Sequence, residues 1–484
     1  MMYAHLKIMI HHKKTKIVGT IGPATESKEM LLKLKEAGLN VCRLNFSHGD
    51  HAEQQRKVDN INKVRKETGR PLAILQDLSG PKIRTGDFGT ENGRVMLKKG
   101  KQFTFTTKKI IGDESKVYVN YKTLPQELNK GSMVLVDDGR KKLQVIRTTK
   151  TDVICRVLVG GDMKGRRGVN LPGAYLKVSS LTPKDKKDLE FGIKNNVEYV
   201  ALSFVRRAKD IEELRSILNK RKCKAKIIAK IETQEAVDNL GEIIRKSDGV
   251  MVARGDLAIE IPAEQVPLVQ KEIIERCNFL GKPVITATQM LESMIHSPVP
   301  TRAEVSDVAN AILDGTDAIM LSEETTLGEY PVEAVEVMTK VALEVEANIS
   351  NEFALNRYEE DMIIPVSDSV TASVVNTAQE VSAELIFALT ESGFTARMIS
   401  RFKPDAGIIA ATPNEGTFQQ LALVGGCYPV KVKRENTVNK VMEVIREHCL
   451  REKIAKKGDK VVVAAGVPFN DHKTGTNMMV VEEI

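Results

Sequence analysis

Ile227-Ile228-Ala229-Lys230-Ile231-Glu232-Thr233 and, further on, Gly249-Val250-Met251-Val252-Ala253-Arg254-Gly255-Asp256 carry the pattern from which the fold is read. Each is an apolar run of the length of a buried strand, and each ends abruptly in charge. Lys230, Glu232 and Asp256 therefore emerge where a strand runs out. Buried or half-buried charge costs desolvation energy, which a protein tolerates where function needs it. A cation and two carboxylates at neighbouring strand ends suggest a metal and an anionic substrate.

Working outward, runs of the same kind recur at 16–22, 39–47, 72–78, 197–205, 226–233, 249–257, 283–290 and 316–323, eight in all. Helix-like stretches such as 27–37, 52–68 and 208–219 separate most of them. Eight βα units predict a (β/α)8 TIM barrel made of 16–85 and 182–350, with an open doubly wound sheet as the alternative. Between the third and fourth runs, residues 86–181 alternate with period two and are punctuated by Gly, Asn and Asp. They are expected to form an inserted all-β module, a lid over the carboxyl-terminal face of the barrel. After residue 350 strands and helices alternate again, which predicts a C-terminal α/β regulatory domain at 351–484. Residues 1–15 lack a secretory cleavage pattern and are expected to be a short arm.

Composition bounds the function. The 484 residues are 42% hydrophobic and 28% charged, as in soluble globular proteins, and no run is long and apolar enough to span a membrane. The net charge of +8 comes with only 4% aromatic residues and no Trp. Basic residues are dispersed, so small anionic ligands are a better expectation than nucleic acid. Six scattered cysteines fit free thiols in a reducing compartment, and hence a cytoplasmic protein.

On a barrel, the strand ends share one rim. They supply Gly22 and Pro23, then Arg43, Asn45, Ser47 and His48, then Asp77 with Lys82 and Arg84, then Ser203 and Arg206, and from the later strands Lys230, Glu232, Arg254, Gly255, Asp256, Thr288, Gln289, Ser322, Glu323 and Glu324. Glu232 and Asp256 suit Mg²⁺, which takes oxygen ligands and leaves room for a substrate phosphate. They read equally as an ion-pair network with Lys230. Arg43 alternates with apolar neighbours in Val41-Cys42-Arg43-Leu44-Asn45-Phe46, which puts it on the opposite pleat face. The Gly255 turn can offer backbone amides to an anion or be a plain turn. Thr288 can simply bond the backbone, and His48 reads as a turn residue or a nucleotide contact. No G-x-x-x-x-G-K-[ST] loop, protein-kinase motif set or dinucleotide glycine motif is present.

Together these segments resemble the pyruvate kinase family: 16–24, 40–49, 80–86 (Gly-Pro-Lys-Ile-Arg-Thr-Gly), 168–173, 229–232, 251–257 and 287–294 all match its motifs. The resemblance implies phosphoryl transfer from phosphoenolpyruvate to ADP, giving pyruvate and ATP as the last step of glycolysis, with Mg²⁺ (or Mn²⁺) as cofactor and a homotetrameric assembly. By the same resemblance Lys230 stabilises the phosphoryl group in flight, and Glu232 and Asp256 hold the metal. Arg43 holds the phosphate, while Gly255, Asp256 and Thr288 hold the substrate carboxylate. Thr288 also lies near the enolate to be protonated. Asn45, His48, Arg84 and Arg167 match nucleotide contacts, Arg167 standing where many relatives have lysine.

One departure concerns the monovalent-cation region of Asn45, Ser47, Asp77 and Leu78. Relatives that need K⁺ carry a threonine where this chain has Leu78 and a glutamate where it has Lys82. The expectation is that Lys82 supplies the missing charge and K⁺ is not required; the alternative is a solvated Lys82 with K⁺ still bound. In the C-terminal part, Thr390, Ser392, Gly393 and Thr395 precede a helix and are expected to bind a phosphate of an allosteric effector, or else only to cap that helix. Rival readings are another Mg²⁺-dependent, pyruvate-forming barrel enzyme, such as an aldolase or dikinase, and a non-catalytic phosphometabolite sensor.

Overall fold

The structure, a computed structural model, describes residues 13–349, 364–434, 437–468 and 475–484. Most of the expected arm at 1–15, and the expected boundary near 351, lie outside the described residues.

Eight parallel strands close into a barrel: Lys16–Thr20, Val41–Asn45, Ala73–Asp77, Tyr199–Leu202, Lys226–Ile231, Gly249–Ala253, Val284–Ala287 and Ala318–Leu321. Every one lies within a run picked from the sequence. The first strand pairs with the eighth, Lys16 opposite Ala318. The third pairs directly with the fourth, Leu75 opposite Tyr199, although the whole inserted module lies between them in sequence. The strands are apolar on both faces because both are covered. Val18, Val41, Leu75, Ile228, Met251 and Ile285 fill the interior, and Ala422 and Leu423 from the C-terminal part plug its amino-terminal end. Alternate residues such as Ile17, Leu44, Ile74 and Ile227 pack outward under the helices. Each such fully buried side chain is worth about 1.5–3 kcal/mol.

Local chemistry sets the helix ends. Lys28–Ala37 starts where the Ser27 hydroxyl accepts from the Met30 N–H, and it stops at Gly38, whose φ of +119° no β-carbon tolerates well. Thr182 and Asp185 form a capping box at the start of Pro183–Lys194, the helix entered from the inserted module.

That module holds a six-stranded sheet ordered Val169–Asn170, Met133–Val136, Lys141–Thr148, Asp152–Val159, Gln102–Thr106, Lys116–Tyr118, and a two-stranded sheet of Arg94–Leu97 with Gly161–Lys164. Its own core includes Phe103 and Phe105, edge to face at 5.4 Å. The expectation of an all-β module needs one adjustment: Leu124–Glu127 is a single helical turn, made by Pro125 in its first turn and by the burial of Leu124. Two stalks join module to barrel, held together by Val169 N–H on Ile83 O and Thr85 N–H on Arg167 O, each 2.9 Å.

The C-terminal part is a five-stranded sheet ordered Cys427–Lys431, Gly407–Thr412, Leu385–Leu389, Lys460–Ala465, Met478–Glu483, with the last strand antiparallel. Among the described residues no helix is long and apolar enough to cross a membrane. All six cysteines are free thiols, and burial pushes those of Cys42, Cys155, Cys427 and Cys449 up to about 12.

Candidate active site

The inward-facing positions of the barrel change character at one level. Val18, Val41, Leu75, Ala201 and Ile228 are apolar. Two residues further along, on the same pleat face, stand Thr20, Arg43, Asp77, Ser203 and Lys230. A polar layer thus closes the carboxyl-terminal end, where barrel active sites are built.

Asp77 sits at the centre of this layer. Its Oδ2 is 2.7 Å from both Nε and Nη2 of Arg43, and its Oδ1 is 3.2 Å from Lys230 Nζ. Burial works to raise its carboxyl, but Lys230 and Arg43 hold it below the usual carboxylate range. Arg43 also donates to Thr20 Oγ1 at 2.9 Å. Lys230 donates to Ser203 Oγ at 2.7 Å and pairs with Glu232 at 2.9 Å, so the ion-pair reading of the sequence is realised in part. Burial disfavours the ammonium, yet Asp77 and Glu232 more than offset it and keep Lys230 protonated well above the ordinary lysine value.

Glu232 behaves differently. Burial pushes its carboxyl up, and Asp256 adds to the rise against the pull of Lys230 and of the Phe204 N–H, which donates to Oε2 at 2.7 Å. Lys230 is already shared with Asp77, so it does not by itself offset the two neighbouring carboxylates of Glu232 and Asp256. Among the described residues no three His, Cys, Asp or Glu side chains are placed to hold a metal. Two carboxylate donors with the remaining positions left to water and substrate oxygens are a donor set that fits Mg²⁺.

Gly255 and Thr288 meet directly, Thr288 Oγ1 accepting from Gly255 N–H at 2.8 Å. A β-carbon on Gly255 would lie 3.3 Å from that oxygen, so glycine permits the approach. Thr288 has φ +69° and Gln289 φ +53°, a left-handed conformation that costs a β-branched residue about 1–3 kcal/mol. Arg254 braces it, donating to Thr288 O at 2.8 Å while forked on Asp307 with both contacts at 2.7 Å. The expected turn after the sixth strand is in fact the start of a helix, Arg254–Glu260.

The remaining expected residues are dispersed. Asn45 Oδ1 accepts from Ser47 N–H at 3.0 Å, and Leu78 is buried. His48 and Arg84 are exposed. Lys82, also exposed, lines a cleft of about 120 Å³ together with Asp256, Glu260 and Arg206. Arg167 is on the inserted module, 3.2 Å from Asp137. Thr390, Ser392 and Thr395 line a separate cavity of about 220 Å³ in the C-terminal part, where Thr395 Oγ1 accepts from Thr476 at 2.9 Å and Gly393 has φ +79°.

Sequence reading gave no role to Thr20, Ser203 or Glu260. The first two were accessible from the period-two continuation of the inward positions. Glu260, pushed up to about 7 chiefly by burial, accepts from Asn170 of the module at 3.4 Å, a contact between distant segments that no local pattern signals.

A closed (β/α)8 barrel with a sheet module leaving after its third strand, and with paired cations and carboxylates on its rim, defines a barrel enzyme acting on an anionic substrate. The family model described as pyruvate kinase, barrel domain, matches residues 12–335, and that described as pyruvate kinase, alpha/beta domain, matches 368–482. A pyruvate kinase of Geobacillus stearothermophilus is 46% identical over 98% of this chain and 80% of its own length; one of Clostridium perfringens is 45% identical over 98% of this chain and 100% of its own. A crystal structure of a pyruvate kinase from Cryptosporidium parvum superposes with a TM-score of 0.93 at 36% identity, covering 98% of this chain and 96% of that one. The chain belongs to the pyruvate kinase family, as an enzyme of that phosphotransferase type.

Proposed function

We propose that the barrel rim transfers the phosphoryl group of phosphoenolpyruvate to ADP, forming pyruvate and ATP as the closing step of glycolysis, in the cytoplasm and under allosteric control. The observation that carries this reading is the buried layer in which Asp77 joins Arg43 to Lys230 and Lys230 to Glu232. The bond between the enol oxygen and phosphorus breaks, and a bond from phosphorus to a β-phosphate oxygen of ADP forms. Lys230, fixed by Ser203, Asp77 and Glu232, meets the charge on the transferring group, and Arg43 holds the phosphate. Glu232 and Asp256 would hold the Mg²⁺ or Mn²⁺, which would supply positive charge against the phosphate and the developing enolate. The backbone N–H groups of Gly255 and Asp256 and the hydroxyl of Thr288 take the substrate carboxylate, which displaces the Thr288 oxygen from the Gly255 amide. The enolate then gains a proton at its methylene carbon, beside Thr288.

In this reading 16–85 and 182–350 form the barrel unit, 86–181 a lid that brings Arg167 toward a nucleotide contacted by Asn45, His48 and Arg84, and 351–484 a regulatory unit that binds a phosphorylated effector at Thr390, Ser392, Gly393 and Thr395. Lys82 replaces K⁺, and four chains assemble. The test is pyruvate formation, followed by reduction of the product with lactate dehydrogenase and NADH. Turnover that requires phosphoenolpyruvate, ADP and Mg²⁺ together is expected; a chain that consumes phosphoenolpyruvate without an acceptor nucleotide would belong to another reaction class.

A further inference from the structure

The segment after the fourth barrel strand, Ser203-Phe204-Val205-Arg206, has contacts on two sides. Toward the polar layer, Ser203 Oγ accepts from Lys230 Nζ and donates to Leu78 O, both at 2.7 Å, and the Phe204 N–H donates to Glu232 Oε2 at 2.7 Å. Toward the module, Arg206 reaches the returning stalk. Its Nη1 donates to Leu176 O at 2.9 Å, and its Nη2 donates to Val178 O and lies 3.5 Å from Ser180 Oγ. Ser180 Oγ in turn donates to Phe204 O at 2.8 Å. The outgoing stalk is equally close: a β-carbon on Gly80, at φ +67°, would lie 2.9 Å from the Phe204 ring and 3.0 Å from Ser203 Cβ.

Two features are costly for a plain connection. The Arg206 residue is only 7% exposed, yet among the described residues its guanidinium is bonded to carbonyl and hydroxyl oxygens and to no carboxylate. A buried charge without a counter-charge is unfavourable unless something else requires it. Phe204 has φ +54°, in a region that bulky side chains avoid and that persists only where the surroundings over-determine it. Its two backbone polar atoms are spent on opposite sides, N–H on Glu232 and C=O on Ser180, so the unusual conformation is what lets one residue join the two sides.

We infer that 203–206 is a positioning element linking both stalks of the inserted module to Lys230 and Glu232, with Arg206 as its outer anchor. The inference rests on the reading of Lys230 and Glu232 given above. Neither Ser203 nor Arg206 touches the reacting atoms; each acts by fixing groups that do. Seating of the stalks holds the Ser203 hydroxyl under the Lys230 ammonium and the Phe204 amide against Glu232. Release of Arg206 lets both move, and ångström-scale misplacement costs up to about a hundredfold in rate.

The test uses the full-length enzyme and measures kcat, KM for phosphoenolpyruvate, the Mg²⁺ concentration for half activity, and the melting temperature. Arg206→Lys keeps the charge but cannot fork across three acceptors. Its kcat is expected to fall about tenfold and its Mg²⁺ requirement to rise several-fold, with KM for phosphoenolpyruvate little changed. Ser180→Ala should shift the same quantities in the same direction by less. Combining Ser203→Ala with Arg206→Lys should cost less than the product of the single losses, because both act through one element. Unchanged kcat and Mg²⁺ requirement in Arg206→Lys, or strictly multiplicative losses in the double variant, would overturn the inference. Should Arg206→Lys not fold, Ser180→Ala decides alone: a shifted Mg²⁺ requirement supports the element, and an unshifted one removes it. Failure of the functional reading itself is seen separately, as a wild-type chain with no Mg²⁺-dependent pyruvate formation.

Discussion

Lys82 is exposed on the outgoing stalk and faces the same cleft as Asp256. If its ammonium takes the place of a monovalent cation, turnover should be equal in K⁺ and in tetramethylammonium salts, and Lys82→Glu should become dependent on K⁺. Strong stimulation of the wild type by K⁺ would contradict this. Lys35 makes a prediction about stability. Its ammonium is buried, bonded to Leu39 O and Pro71 O, and burial lowers it from 10.5 to about 7. Between those values the unfolded chain binds more protons at this residue than the folded one, so its contribution to stability grows as pH rises from about 7 toward 10 and is lost on acidification. Denaturant unfolding should show that rise in the wild type, and Lys35→Met should flatten it. Single residues were legible in the sequence where they broke a pattern: Lys230 and Glu232 interrupt an apolar run, and Arg43 alternates with apolar neighbours. Ser203 was placed on the rim without a role and Thr20 was passed over, because a hydroxyl at a strand end bonds backbone in most proteins; closure of the barrel brings the two to Lys230 and Arg43.

The helix Pro183–Lys194 begins where the inserted module rejoins the barrel, and Asp185 serves it twice. It closes the capping box with Thr182, and its Oδ1 accepts from the Gly80 N–H of the outgoing stalk at 3.2 Å. Thr182→Ala removes one cap and should cost about 1 kcal/mol, read as a lowered denaturation midpoint. Asp185→Ala should cost more, because it also frees the stalk. The loop after Leu385–Leu389 makes the functional counterpart of this prediction. If the loop binds an effector phosphate as proposed, replacing Ser392 and Thr395 together by alanine should abolish any response to phosphosugars and nucleotides while leaving basal kcat unchanged; retained activation by any of them would make the loop structural. Elements with strong punctuation were placed well from sequence. The helices Lys28–Ala37, His51–Thr68 and Ala208–Lys220 fall within one residue of the stretches expected at 27–37, 52–68 and 208–219. Within the C-terminal alternation, the helix Glu415–Gln420 gives way to a tighter turn, Leu421–Leu423, because Ala422 and Leu423 bend in to fill the floor of the barrel. That tertiary demand is invisible in local periodicity.

Over the whole molecule, the count of apolar runs and the one long interruption fixed the barrel and its insertion. Eight buried strands, each covered on both faces, can satisfy their edges by closing on themselves, and the interruption after the third is tolerated because third and fourth strands still pair. Contacts between distant segments, such as Arg206 on the returning stalk or Asn170 on Glu260, follow from that closure and not from any window of sequence. The most direct measurement compares the wild type with Lys230→Met in Mg²⁺-dependent pyruvate formation from phosphoenolpyruvate and ADP, with circular dichroism confirming that both are folded. If the Lys230 ammonium meets the transferring charge as proposed, its removal should lower kcat at least about a hundredfold while the wild type turns over freely. A wild type that forms no pyruvate under any Mg²⁺ concentration, or a Lys230→Met variant as fast as the wild type, would contradict phosphoryl transfer at this rim.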